Sequence, residues 1–473
     1  MTPQEAVERA LGAARCDGCV VIADETSSAN LRWAANSLTT DGVSRSRQLT
    51  VIAITQGVDG ARAGVVSRAG VREDQVADVV AEAEQTARDS SPAEDAQPLL
   101  GPSDPEAFGV GEGPEPGLPG WDDEPGSTGI GVFAAFSPAL AEAFQTAAAA
   151  GRTLYGYAEH SLTSTFLGTS TGLRLRHDQP TGKVDINAKS AEPGGSAWTG
   201  QATADFTDVD VAAMTASLGR RLDWARRQVE LPAGRYETLL TPSAMADLFI
   251  YLYWSTGAKD ALDGRTVFSQ PGGGTRVGEQ LASMPVTMRS DPGAAGLRCA
   301  PFVVARTSRR ESSVFDNGLA IPPVTWLRDG VLTALTQTRW TAEASGLPTT
   351  PGTDNLILES AAAGGATTDD LIARTRRGLV VNCLWYVREV DPQTLLLTGL
   401  TRDGVYLVED GEVTGAVNNF RFNESPVALL RRLAEVGATV PALPREWSDY
   451  FTRSAMPPAR FEDFNMSSVS QAS

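Results

Sequence analysis

The chain has 473 residues, 42% of them hydrophobic and 21% charged, which is ordinary globular usage and too long for a single core of typical size; two or three domains are expected. With 58 acidic against 40 basic residues the net charge is -18, so most of the surface repels a nucleic-acid backbone or an anionic membrane, and neither is an expected partner. No run approaches the roughly 20 apolar residues of a membrane helix. The start "MTPQEAVERALGAARC" has the pattern of a charged amphipathic helix rather than a signal peptide, and four cysteines cannot form a disulfide framework, so a cytoplasmic protein is expected.

In chain order, residues 1–88 predict a small α/β part: a helix to about residue 14, strands in "CVVIADE", "LRWAANSLTT" and "QLTVIAIT", and a helix in "REDQVADVVAEAEQTARD". That last helix places Val76, Val79, Val80 and Ala83 on one stripe. Residues 89–129 carry ten acidic and no basic residues among many prolines and glycines; such a segment buries too little apolar surface to offset its ordering entropy, and a mobile acidic loop is expected. Residues 130–230 continue the N-terminal domain. They hold a helix "SPALAEAFQTAAAAG" with Ser137 as cap and Pro138 at the first helical position, alternating strands that fold back at "GTSTG", and a helix from about 209 to 228. From residue 231 to 473 the chain is strand-rich, with short helices and glycine-marked turns. The fold class is therefore α+β, a small N-terminal α/β domain followed by a strand-rich C-terminal domain.

Several short patterns suggest chemistry and each has a plainer reading. "GTSTG" matches G-x-S-x-G at Ser170, but a nucleophile elbow needs a strand-to-helix turn and here strands stand on both sides, which favours a hairpin. "CDGC" (Cys16, Cys19) lacks the two further ligands of a zinc site and precedes a strand, where a thioredoxin-like pair would follow one. "PGGGTRVGEQ" lacks the GK[ST] of a phosphate loop. His160 and His177, the only histidines, could meet across a hairpin to hold a metal, though structural histidines are the simpler expectation. The stretch "TPSAMADLFIYLYWSTGAKD" (241–260) predicts a helix capped by Thr241 and opened by Pro242; it is apolar all round and therefore buried on all sides.

The blocks "GRYETLLTPSAMADLF", "VFDNGLAIPPVTWLRDGVLTALTQTRWTAEASG", "TDNLILE", "RRGLVV", "GVYLVEDGEVTGAVNNFRFNES" and "PPARFEDFNMSS" occur in one order along the C-terminal half. "ANLRWAANSLTTDG" and "STFLGTSTGLRLRH" accompany them further upstream. In these segments the chain resembles the TldD/PmbA family, the two homologous subunits of a bacterial heterodimeric zinc metallopeptidase. The likeness spans nearly the whole chain except residues 89–129. In the metal-bearing subunit of that family, the helix after the "LTP"-like strand carries a His-Glu-x-x-x-His pair, and a cysteine ligand lies near the C-terminus. Here Phe249, Ile250, Tyr253 and Trp254 stand about where the ligands and base would be, and no cysteine follows Cys383.

The resemblance thus implies a metal-free, non-catalytic subunit. Zinc is expected in a TldD-like metal-bearing homologue that forms a heterodimer with it, and unstructured peptides are expected to reach that zinc by strand addition. No residue of this chain is expected to be catalytic or metal-ligating, and no cofactor is expected within it. The turns "VFDNG" (Phe315, Asp316, Gly318) and "PGTDN" (Gly352, Asp354, Asn355) are candidates for lining a shared peptide chamber, because Gly, Asp and Asn turns present backbone groups; ordinary structural turns are the plainer reading. The alternative function is a homodimeric peptide-binding or regulatory protein without peptidase activity. A third is an enzyme of unrelated chemistry acting through Cys299, Cys383 or the His160/His177 pair.

Overall fold

A computed structural model of the chain describes residues 1–109, 119–190 and 195–470. Helix α1 (Pro3–Ala13) opens on a capping box, in which Thr2 Oγ1 accepts the Glu5 amide and the Glu5 carboxylate accepts the Thr2 amide. It is followed by β1 (Gly18–Ala34), β2 (Ser37–Gly57), β3 (Gly60–Ala69), α2 (Val76–Asp89), α3 (Phe136–Ala149), β4 (Arg152–Thr169), β5 (Arg174–Ser190), β6 (Ser196–Thr203) and α4 (Val211–Trp224). The six strands form one antiparallel sheet in the order β3-β2-β1-β4-β5-β6.

Alternation along β1 decides what each face meets. Val21, Ala23, Leu31 and Trp33 face the helices, where they pack with Val80, Phe136 and Leu218, while Val20 and Ile22 face Phe302, Val314 and Phe315 of the C-terminal half. A strand covered on both sides has no polar face, which is why "CVVI" shows no alternation.

The expected separate strand "LRWAANSLTT" is instead the tip of the β1–β2 hairpin, because Ala35 and Asn36 both adopt left-handed φ (51° and 59°) and turn the chain in two residues. Strand β3 was not anticipated; its exposed, Gly- and Ala-containing edge gives little apolar pattern. Helix α3 begins at Phe136, so Ser137 and Pro138 are its second and third residues; Ser137 is not the cap and Pro138 is not at the first position.

The acidic segment departs from expectation as well. Its flanks are held down: Leu100 and Ala107 are buried, Ala107 bridges Leu319, and Trp121 lies edge-on to Phe166 at 5.5 Å. The almost fully buried Arg176 guanidinium donates to the carbonyls of Gly120, Asp123 and Glu124 at 2.7–2.9 Å. Net composition does not register such single anchors; residues 110–118, including Glu112 and Glu115, lie outside the described residues.

The C-terminal half comprises β7 (Gln228–Val229), β8 (Gly234–Leu240), α5 (Pro242–Trp254), α6 (Ala258–Leu262), β9 (Thr287–Ser290), β10 (Val324–Arg328), β11 (Val331–Leu332), α7 (Arg339–Ser345), β12 (Leu356–Glu359), α8 (Thr368–Ala373), β13 (Arg377–Asp391), β14 (Leu396–Glu409), β15 (Glu412–Val417), β16 (Phe420–Glu424), α9 (Pro426–Arg431), β17 (Leu433–Val436), β18 (Val440–Pro441), β19 (Ser454–Met456) and β20 (Ala459–Val469). One sheet runs β11-β10-β9-β12-β19-β18; the other runs β13-β8-β20-β16-β14-β15-β7, and the further β13–β14 pairing closes five of its strands into a ring. Helix α5 joins the core of both sheets, with Leu248, Phe249 and Leu252 in one apolar cluster with Met288 and Trp326 of the first and Val381 and Phe464 of the second. No helix among the described residues is long and apolar enough to cross a membrane.

Candidate functional site

Strand β8 delivers the chain into α5 at Thr241. Its hydroxyl donates to the Asn382 carbonyl at 2.6 Å, so it does not cap the helix as expected, while Pro242 does occupy the first turn. Along α5, Phe249 and Ile250 are completely buried in the core. Tyr253 is buried as well; its hydroxyl accepts the Thr353 amide at 2.6 Å and donates to the Thr353 carbonyl at 2.9 Å, and its ring leans on Trp326 at 5.3 Å. Trp254 is 42% exposed and packs edge-on against Trp447 at 5.1 Å.

The one charged residue of this helix, Asp247, is fully buried and anchors two neighbours: its carboxylate accepts the amides of Leu384 (3.1 Å) and Glu446 (2.9 Å). Burial pushes its pKa well up, opposed by those two amides.

A cleft of about 690 Å³ opens at the C-terminal end of α5. Tyr253 and Trp254 form one wall, the backbone-rich segment 302–307 another, and Asp316, Gly352 and Asp354 lie along it. Five of the ten candidate residues are thus brought together. The two acids are already engaged. Asp316 is buried and paired with Arg339 (2.8 Å to Nε, 3.1 Å to the amide), and burial raises its pKa against the pull of that guanidinium; Asp354 is paired with Arg453.

The other five candidates do not line the cleft. Phe249 and Ile250 lie in the core, and Phe315 is buried against the N-terminal sheet. Gly318 occupies a left-handed turn (φ 87°) where a Cβ would stand 2.7 Å from Leu173 Cδ1. Asn355 is buried, accepting the Asp291 amide and donating to the carbonyls of Asp291 and Leu297.

Sequence reasoning missed Arg306 and Arg309, both in the lining. Arg306 reaches across to Asp24 of β1 at 2.6–3.1 Å, while Arg309 makes no ion pair among the described residues. The basic run "RTSRRE" was the available signal.

The cleft thus presents aromatic rings, main-chain groups and, in Arg309 and Glu311, two charged side chains that make no ion pair among the described residues. Among the described residues no group of three or more His, Cys, Asp or Glu side chains is close enough to hold a metal ion.

The remaining motifs resolve into structure. Ser170 sits in the β4–β5 turn with its hydroxyl accepting the Cys19 amide at 3.0 Å. His177 is bonded to Gln179, and burial lowers its pKa. His160, buried, contacts Thr128 Oγ1 (2.8 Å) and the Ala204 carbonyl (2.7 Å). In the β4–β5 register His160 faces Gly182 and His177 faces Thr165, so the histidines do not meet; the short turn at 170–173 sets that pairing. Cys299 and Cys383 are buried, and burial pushes their thiol pKa values up, to about 12 and about 11. Cys16 is half-buried, and its hydrogen bond with Cys19 lowers its pKa to about 7.

Residues 233–468 match the family model described as the PmbA/TldA metallopeptidase C-terminal domain. This half of the chain belongs to that family. The structure as a whole is similar to three solved structures. The crystal structure of TldE from Thermococcus kodakarensis has a TM-score of 0.77 at 17% identity, covering 98% of this chain and 99% of that one. A suggested modulator of DNA gyrase from Bacteroides thetaiotaomicron gives 0.74 at 16% (99% and 98%), and one from Thermotoga maritima 0.74 at 15% (98% and 99%). At such identities the likeness establishes the fold, and it confirms the α+β class. No curated protein sequence matches the chain. Within the PmbA/TldA domain, α5 and the cleft at its end are the features on which a functional reading turns.

Proposed function

We propose that the protein is the non-catalytic, TldE-like subunit of a two-component zinc-dependent peptidase acting on short unstructured peptides, the zinc being held by a homologous TldD-like partner. The observation that carries this reading is the state of α5. Its side chains at 249, 250 and 253 are committed to core packing and to a hydrogen bond with the chain at Thr353, yet a cleft with aromatic and main-chain walls persists at its end. A cleft of that composition binds extended peptide through main-chain hydrogen bonds with little demand on sequence. In this reading Trp254, Arg309 and Glu311 are among the side chains available to a peptide.

The test is metal content and cleavage of an unstructured peptide, for the chain alone and co-expressed with a homologue carrying His-Glu-x-x-x-His. The expected result is an inert, metal-free single chain and a stable mixed complex that holds zinc and cleaves. A single chain that binds stoichiometric zinc and cleaves overturns the proposal. A stable homodimer that binds peptide and ignores the homologue replaces it with the regulatory reading.

A further inference from the structure

At the opposite end of α5 lies a second cavity, of about 240 Å³, bordered by α4, α8 and the start of α5. Thr241 and Pro242 bring the helix N-terminus to its wall, and because the Thr241 hydroxyl is turned to Asn382, the first turn carries no side-chain cap. Of the two helix residues in the wall, Thr241 gives its amide to the Val381 carbonyl and Pro242 has none, so what the helix end brings to the cavity is its partial positive charge. By itself that is a common feature; two further groups converge on the same space.

Arg221, half-buried on α4, donates to the Trp198 carbonyl at 2.7 Å and makes no ion pair among the described residues, although burial disfavours its charge. Tyr406, only 1% exposed, lines the cavity with its ring edge-on to Trp224 at 5.1 Å. Its buried hydroxyl has no hydrogen-bond partner among the described residues. Burial keeps that hydroxyl protonated, so it is a donor at neutral pH. Arg220 and Asp369, also in the lining, pair with each other at 2.8 Å and cancel. The balance is one uncompensated guanidinium, one unpartnered phenol and an uncapped helix end.

We propose that this cavity is a binding site for a phosphate-sized oxyanion, held by Arg221 and the Tyr406 hydroxyl beside the positive end of α5. The guanidinium matches oxygens of such an anion and the phenol donates to another, while the helix dipole favours the negative charge. The site is separate from the peptide cleft and does not depend on the peptidase reading.

Thermal unfolding and calorimetry of the full chain with inorganic phosphate test it, with acetate and chloride at equal ionic strength as comparators. Phosphate also stabilises proteins generally by exclusion from their surface, an effect that rises without saturating and ignores single side chains. The expected result is a saturable rise in Tm at millimolar phosphate, absent with chloride and much weaker with acetate. The decisive variant is Tyr406→Phe. Because the hydroxyl has no partner, its removal leaves the phosphate-free Tm unchanged or higher, yet phosphate affinity falls at least tenfold; Arg221→Gln abolishes binding. An unsaturating response, an equal response in wild type and Tyr406→Phe, or an acetate response equal to that of phosphate overturns the assignment.

Discussion

The two halves of the molecule satisfy their backbones in different ways. In the N-terminal sheet the strands do it themselves: β1 pairs with β2 across 17 positions and β4 with β5 across another 17, in nearly unbroken antiparallel ladders. In the PmbA/TldA domain most pairings outside β13–β14 are short, β9 to β12 covering three positions and β12 to β19 two, so the intervening chain leans on buried side chains. Asn317 accepts the Ala305 amide (2.7 Å) and donates to the carbonyls of Ala305 (2.8 Å) and Val314 (2.9 Å). Asp247 and Asn355 hold loops in the same manner. An irregular domain built this way can shape clefts that a regular ladder cannot, and it concentrates stability in a few polar residues.

The comparison predicts a ranking of substitutions. Largest is Phe249→Ala, which empties a fully buried ring site between the two C-terminal sheets and is expected to destabilise by about 3–5 kcal/mol in urea unfolding followed by tryptophan fluorescence. A cost below about 1 kcal/mol means that α5 is not the core of that half. Next is Asn317→Ala, which leaves three buried backbone groups unpartnered at a cost of about 3 kcal/mol. Hydrogen exchange is expected to accelerate around residues 303–318 while the N-terminal strands keep their protection; a uniform change breaks the proposed division of labour.

The same contrast explains what the sequence made legible. The N-terminal sheet follows local rules: the stripe of Val76, Val79, Val80 and Ala83 is buried as its spacing requires, and "GTSTG" turns a hairpin. Its misses are turn chemistry, Ala35 adopting a conformation that alanine does not advertise, and the edge strand β3. In the C-terminal half periodicity found α5, but no local pattern distinguishes the Asp316 and Asp354 that line the cleft from the Asn355 that is buried one residue on. That difference is set by what Arg339, Arg453 and Asp291 bring from distant segments.

Where the halves meet, the expected effect is smaller and depends on pH. Asp185, half-buried on β5, is pushed by desolvation to a pKa of about 6, opposed by Lys183 and Arg445. A folded pKa above the ordinary 3.8 means that the folded state binds the proton more tightly. Its contribution is therefore full below about pH 4 and is lost as the pH rises through about 6. Asp185→Asn is expected to remove that loss, raising stability at pH 7 by about 1–2 kcal/mol and flattening the profile between pH 4 and 6. A lower stability at pH 7 means that the carboxylate is needed in its charged form.

The smallest effect belongs to the ladder itself. Ser28 and Ser44 face each other across β1 and β2, their hydroxyls 2.8 Å apart on the exposed side. Water replaces such a bond with little change in free energy, and the backbone pairing on either side is untouched. Ser28→Ala is thus expected to shift stability by no more than about 0.5 kcal/mol in the same urea titration, several-fold less than Asn317→Ala despite the similar length of the bonds removed. What separates the two is only where the unpartnered groups are left: in solvent on the hairpin, in the interior around Asn317. If the two substitutions cost the same, the irregular half is not held by its buried polar residues, and the contrast between the halves is one of shape alone.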